Sequence, residues 1–294
     1  MFVVTGATGR TGRAVVAGLL RAGRAVRAVS RRPVELEGVE SVIAQPDDPA
    51  ALTAAFAGAE GAYVMVQPNY IPDSPDFPAH QHAVVDAMAA ALAAAGTGRI
   101  VTLSSWGADK PGGTGPVAGL HYLETRIDAL DAVVTHLRAG YFMENLLGHA
   151  DTIRDRGVIA APFDPDIAMP FIAAADIGHA AARILLGPPA AEILELHGER
   201  DLSMAEATRV IGGLSGRPDL RYVRQSLDEF AAGLRDAGVS ASVAGLMVEV
   251  AEAINSGHTA AVQPRSARTT TPTSIEEFVT DALISGTLPS AASR

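Results

Sequence analysis

Cysteine is absent from the chain. That removes disulfides, thiolate metal sites and cysteine nucleophiles together. Lysine is almost absent as well: Lys110 is the only one, so any role that related chemistry gives to a lysine must here be dropped or reassigned. Positive charge is in deficit, with 23 Lys and Arg against 33 Asp and Glu and a formal net charge of −10. Nucleic acid and anionic membrane surfaces, both rich in phosphate, repel such a chain, and neither is expected as a partner. Long apolar runs are missing: the alanine-rich stretch from Ala87 to Gly96 is far too short to span a bilayer. A metal site is not expected either. His80 and His82 stand at i and i+2, which face different ways on a helix, and no carboxylate cluster joins them. They read as a patch at a helix start. The first strand is read from Phe2, which leaves no room for a signal peptide. The expectation is a soluble cytoplasmic protein.

What is present is a glycine pattern near the start: Val3-Val4-Thr5-Gly6-Ala7-Thr8-Gly9-Arg10-Thr11-Gly12. An apolar strand runs into Gly-x-x-Gly-x-x-Gly, and a segment of helical periodicity follows with Val15, Val16, Leu19 and Leu20 on one face. A dinucleotide site needs that order. The tight strand-to-helix turn requires glycine, and a pyrophosphate must approach bare backbone where the helix dipole and unpaired N–H groups favour negative charge. With 294 residues, 48% of them hydrophobic, the chain has ample material for a large core.

The two-residue intervals in TGATGRTG resemble the short-chain dehydrogenase/reductase superfamily, and more closely its NmrA-like, NAD(P)H-binding atypical branch. The alternation along the first half agrees. Strands are read at 2–5, 25–29, 39–44, 61–66, 98–104 and 132–138, with helices at 10–22, 49–57, 77–95 and 116–130. Such βαβ repetition implies a Rossmann-like, doubly wound parallel sheet with helices on both faces. Gly23 reads as a helix C-cap, Asp48-Pro49 as a helix start, and Asp176 and Ser203 as N-caps. After Asn145 short apolar pieces (157–159, 167–173) and helices at 176–186, 203–215, 226–237 and 240–256 suggest a smaller, mainly helical lobe. A polar loop is read near 264–274 and a soft tail after Pro289. The expected division is 1–150 as the cofactor-binding domain and 151–294 as the substrate lobe, with part of 166–200 packing back on the sheet.

The residue ending the second strand reads the adenosine ribose: a carboxylate selects NAD, whereas arginine accommodates a 2′-phosphate. Here the stretch is Ala28-Val29-Ser30-Arg31-Arg32-Pro33, with no acid before Glu35. A planar guanidinium holds phosphate by paired hydrogen bonds, so Arg31 or Arg32 implies NADP(H) in preference to NAD(H). Arg10 adds a second positive group in the glycine loop. The family often has an Asp after the third strand that touches adenine, and Gln45 stands in its place here.

Tyrosine-dependent members use a Tyr-x-x-x-Lys pair for proton transfer, and no tyrosine of this chain has lysine four residues on. Tyr122 has Arg126 instead. The segment Gly119-Leu120-His121-Tyr122-Leu123-Glu124, followed by Arg138-Ala139-Gly140-Tyr141-Phe142-Met143-Glu144-Asn145, is similar to the NmrA-like signature. On that match His121 takes the active-site lysine position, Val117 the tyrosine position, and Ala139 replaces a proline. Leu103-Ser104-Ser105, Phe171 to Asp176 and Pro272 to Phe278 match as well, so the resemblance covers nearly the whole chain.

The resemblance implies catalytic positions at His121 and Ser105. It implies a cofactor set of Gly6, Thr8, Gly9, Arg10, Thr11, Gly12, Arg31, Arg32, Gln45, Val66, Gln67, Pro68, Ser104, His121, Tyr141, Phe142 and Asn145. His121 would donate a proton or hold the nicotinamide ribose. Ser104 and Ser105 would hold a substrate oxygen or the cofactor, or simply form the turn. Trp106, Tyr141, Phe142, Phe163 and Phe171 are expected to line the substrate cleft. The functional relatives implied are NAD(P)H:quinone oxidoreductases, which fits the missing tyrosine: a hydroquinone anion collects its proton from water, whereas an alkoxide needs a positioned acid. The other reading is an NADP(H)-sensing regulator that binds a protein partner without turnover.

Overall fold

The computed structural model describes residues 1–67 and 73–290. Strand β1 (Phe2–Thr5), helix α1 (Arg10–Arg21), strands β2 (Val26–Ser30) and β3 (Val39–Ile43), helix α2 (Pro49–Phe56), strand β4 (Gly61–Met65), helix α3 (Phe77–Ala95), strand β5 (Arg99–Ser105), helix α4 (Ala118–Asp128) and strand β6 (Val133–Ala139) follow in order. Then come β7 (Tyr141–Phe142), α5 (Ala150–Arg156), β8 (Val158–Ala161), β9 (Met169–Ile172), α6 (Ala174–Leu186) and β10 (Glu192–Leu196). The chain continues through β11 (Asp201–Leu202), α7 (Met204–Leu214), β12 (Arg221–Arg224), α8 (Leu227–Asp236), α9 (Ala241–Asn255) and α10 (Ile275–Ile284).

Seven strands pair in parallel in the order β10-β6-β5-β4-β1-β2-β3, the doubly wound sheet expected from the alternation. The winding reverses between β1 and β4, and ligands of such sheets bind at the carboxyl ends of the strands beside that reversal. The period of two along β1 supplies both faces. Phe2 and Val4 join Val15, Val16 and Leu19 of α1 and Ile177 and Leu185 of α6; Val3 joins Leu52 and Phe56 of α2 and Val85 and Leu92 of α3. Helices α1 and α6 approach closely because small residues meet: a Cβ on Gly178 would lie 2.3 Å from the Thr11 carbonyl oxygen. A third core, around Met143, Ile159, Phe171, Met204, Ile211 and Val279, belongs to the C-terminal half. Among the described residues, no helix is long and apolar enough to cross a membrane.

The second half departs from the sequence reading in several places. Strand β10 joins the sheet as its seventh member, where no strand was read. Its pattern is disguised by Glu195, which is buried with Oε2 accepting from the Val262 and Gln263 amides at 2.6 and 2.7 Å. Asp176 is not the N-cap of its helix. Helix α6 starts at Ala174, where the Glu144 carboxylate caps the first amide, while Asp176 accepts from the Thr273 amide and hydroxyl. The segment 264–274 is a polar loop, as expected, and it is tied down: His197 and Thr270 form a parallel bridge, with Thr269 and Thr271 buried on either side. Helix α4 begins later than read, after a short 3-10 turn at Gly115–Val117. Asp48 and Ser203 cap as expected, and Gly23 takes the left-handed conformation just past α1.

Candidate functional site

At the switch point the glycine loop leaves β1. Gly6 has φ +61° and sits under Met65, whose sulfur would be 2.7 Å from any Cβ there; a Cβ on Gly12 would be 2.2 Å from the Gly6 carbonyl oxygen. Only glycine lets the first turn of α1 fold back this closely. Helix α1 then differs from α2, α3 and α7 to α10. Each of those has an Asp or Ser side chain on its first amides, whereas α1 has no capping side chain and no acid in its first turn. Arg10 opens α1, is exposed, and forms no ion pair with a described residue. Uncapped amides, the positive helix end and a guanidinium together fit an anionic diphosphate. Thr8 is exposed on the loop, but the Thr11 hydroxyl is buried and turned to the Met65 sulfur at 3.9 Å.

Beside this loop a cavity of about 160 Å³ spans the carboxyl ends of β2, β3 and β4. It is lined by Arg31, Gln45, Pro46, Asp47, Val66, Gln67, His80 and Val84. Four residues chosen from sequence, Arg31, Gln45, Val66 and Gln67, thus meet in one place. Arg32 is exposed and does not line the cavity. Pro46, Asp47, His80 and Val84 were not chosen. The i, i+4 spacing of His80 and Val84 at the start of α3 was the available signal, since it sets both on one helix face. Pro68 lies outside the described residues. A wider, open cavity of about 660 Å³ lies between Arg224–Leu227 and Glu252–Ser256. It takes no residue from the strand ends of the large sheet. Arg224 there already pairs with Asp164 at 2.9 Å, and Asn255 bonds the Pro162 carbonyl.

The other end of the cleft lies beyond β5 and β6. His121, half-buried on α4, places Nδ1 2.8 Å from the carbonyl oxygen of Ala108. A carbonyl only accepts, so Nδ1 carries a proton and donates it there, which leaves Nε2 as the ring atom that can meet a ligand. Ala108 also donates its amide to the Ser105 carbonyl, so Ser105 and His121 are joined through one turn. Ser104 is turned away from this turn. Its hydroxyl donates to the buried Glu124 at 2.5 Å, and Glu124 in turn accepts both arms of Arg138, at 3.0 and 2.6 Å. Tyr122 also points elsewhere, its hydroxyl donating to Asp86 on α3 with Arg126 on the same carboxylate.

Tyr141 pairs with Phe171 across β7 and β9, and its ring stands edge-on to Phe163 at 5.7 Å. Burial pushes the Tyr141 phenol up to about 12, opposed by a hydrogen bond to Asn145, so it stays an O–H donor throughout the neutral range. Phe142 is partly buried against the α1 side of the sheet core, and Asn145 is exposed. Phe171 is fully buried in the third core, beneath the Tyr141 ring at 5.0 Å, and presents no surface to a cleft. Trp106 and Phe163 are partly buried on that same core. Among the described residues no cluster of metal-ligating side chains occurs.

Comparison with known proteins bears on this geometry. A sequence model of the NmrA-like family matches residues 1–279. A (4-alkanoyl-5-oxo-2,5-dihydrofuran-3-yl)methyl phosphate reductase of Streptomyces griseus is 30% identical over 271 residues, covering 90% of each chain. Quinone oxidoreductase 2 of Escherichia coli is 29% identical, over 85% of this chain and 86% of its own. Among solved structures, the Escherichia coli NADPH-dependent quinone oxidoreductase QOR2 in complex with NADPH aligns at a TM-score of 0.80 and 24% identity, over 96% of this chain and 100% of that one.

Proposed function

From the premise that this chain belongs to the NmrA-like family, we propose that it is an NADPH-dependent oxidoreductase that reduces a quinone or a similarly electron-poor small molecule. The observation that supports this most is the pairing of an uncapped, arginine-flanked helix start with an Arg31-lined cavity at adjacent strand ends. The first amides of α1 and Arg10 would hold the diphosphate, and Arg31 the 2′-phosphate by paired hydrogen bonds. Pro46, Val66 and Val84 give the cavity apolar walls for a purine, and Gln45 and Gln67 give it polar edges. The bound dihydronicotinamide supplies hydride.

The chain's own residues position and shield. His121 would hold a ribose hydroxyl at Nε2 while Nδ1 stays on the Ala108 carbonyl. Ser105, one turn from His121, would stand at the reacting end, with Tyr141 walling it on the side of the C-terminal core, the substrate side, and Phe142 on the α1 side. No described tyrosine is paired with a lysine, and none is needed, because the hydroquinone anion takes its proton from water. Relatives with reductase names, acting on a quinone in one case and a phosphate-bearing lactone in another, support the class of reaction.

Calorimetric titration with NADPH and NADH tests the reading. Arg31→Ala is expected to weaken NADPH by roughly tenfold or more, the worth of a charge-assisted hydrogen bond, and NADH by less than about twofold. Equal loss for both cofactors would remove the phosphate from Arg31.

A further inference from the structure

The residues His80, Gln81 and His82 stand in a row on α3, yet they do three different things. Gln81 is buried and donates through Nε2 to the Pro116 carbonyl at 3.1 Å. His82 is exposed and lies against Tyr122, with ring centroids 4.1 Å apart. His80 faces the small cavity at the ends of β2, β3 and β4, together with Val84 one turn further along. The helix places it there firmly. Asp76 caps α3 through the Ala79 amide, and the His80 amide donates to the Asp76 carbonyl at 3.2 Å. Its ring is half-buried, rests beside Phe77 at 6.3 Å, and makes no side-chain hydrogen bond to a described residue.

The cavity sorts by chemistry. Val66, Val84 and Pro46 are apolar and suit the faces of a flat heterocycle; Gln45, Gln67, Asp47 and His80 are polar and suit its edges; Arg31 is the one cation of the lining whose charge is permanent. An imidazole can donate to a ring nitrogen of a purine or accept from its exocyclic amine, and Asp47 can only accept. A carboxylate in the lining also argues that the phosphate stays at the Arg31 end, away from Asp47.

We propose that His80 is an adenine-contacting residue of the cofactor site, so that the base is read from α3 while the 2′-phosphate is read from Arg31. The assignment rests on the cofactor reading above and adds a division of labour to it. Substituting His80 weakens every adenine dinucleotide to the same degree, whereas substituting Arg31 separates NADPH from NADH.

The experiment is a calorimetric titration of wild type, His80→Ala, His80→Gln and His82→Ala with NADPH and with NADH. His80→Ala is expected to weaken both cofactors by about fivefold to tenfold, as loss of a single hydrogen bond does, and to leave their affinity ratio as in wild type. His80→Gln keeps a donor and an acceptor and recovers at least half of that loss. His82→Ala, on the neighbouring face, binds as wild type. Unchanged affinity in His80→Ala overturns the proposal while leaving the cofactor reading in place. A loss confined to NADPH also overturns it, because His80 would then serve the phosphate. A wild-type protein that binds neither cofactor overturns the reading on which the proposal stands.

Discussion

With its Nδ1 proton committed to the Ala108 carbonyl, His121 meets a ligand through Nε2 alone. In the proposed function that atom holds a ribose hydroxyl. His121→Ala is therefore expected to weaken NADPH and NADH alike by about fivefold, and to leave the rate at saturating cofactor within about threefold. Steady-state kinetics with a quinone checks this. A rate loss of about a hundredfold at unchanged cofactor affinity would instead give His121 the proton. Glu124 belongs to the same helix but acts differently. It is buried beneath the cleft and answers Arg138 with both oxygens while accepting from Ser104. Glu124→Gln leaves a buried guanidinium without its counter-charge and is expected to cost about 3 kcal/mol in urea unfolding. A loss below about 1 kcal/mol would mean that Glu195, 3.9 Å from Arg138, already balances it.

Among the elements, the loop between β1 and α1 is the least tolerant. Gly12→Ala sets a Cβ within 2.9 Å of Ala7 Cα as well as against the Gly6 carbonyl. Thermal unfolding of this variant is expected to show a loss of about 1–3 kcal/mol, with cofactor affinity falling further than stability. Helices α7, α8 and α10 depend instead on capping boxes: Ser203 with Glu206, Ser226 with Glu229, and Ser274 with Glu277. Each glutamate is held below the usual carboxylate range, first by the serine backbone amide it accepts from. A lowered folded pKa contributes stability above the unfolded value, and that contribution is lost as pH falls through the folded value. Glu229→Gln should therefore melt below wild type near neutrality, and the gap should close as the solution is acidified. A gap independent of pH would contradict the ionic part of the cap. The elements of the first half were legible because period and punctuation agree there: Gly6, Gly23 and Asp48-Pro49 bound their segments as backbone chemistry requires. Strand β10 was not legible, since Glu195 breaks its apolar run and its partners come from residues 262–263.

For the molecule as a whole, the C-terminal half is tied to the Rossmann sheet by side chains that reach across long stretches of sequence. Glu144 caps α6, Asp176 anchors Thr273 and Glu195 holds the 262–263 amides, while the backbone of His197 pairs with Thr269 and Thr271. None of these ties has a local signature, which is why Asp176 reads from sequence as a cap. The candidate site divides in the same way. The glycine loop and Arg31 were legible because their placement follows from neighbours in sequence, and Arg31 does line the cavity. Asp47 arrives with the end of β3, two residues past Gln45, and His80 joins it from the start of α3, which follows β4 on the far side of β1 from β2 and β3. The proposed reaction is hydride transfer to an electron-poor substrate without a tyrosine–lysine pair. The most direct measurement is NADPH oxidation followed by absorbance against a panel of quinones, with cofactor binding measured on the same preparation. Turnover with at least one quinone, slower with NADH and little affected by His121→Ala, is the predicted result. Tight NADPH binding with no oxidation by any quinone would contradict it and leave a protein that senses the cofactor rather than spending it.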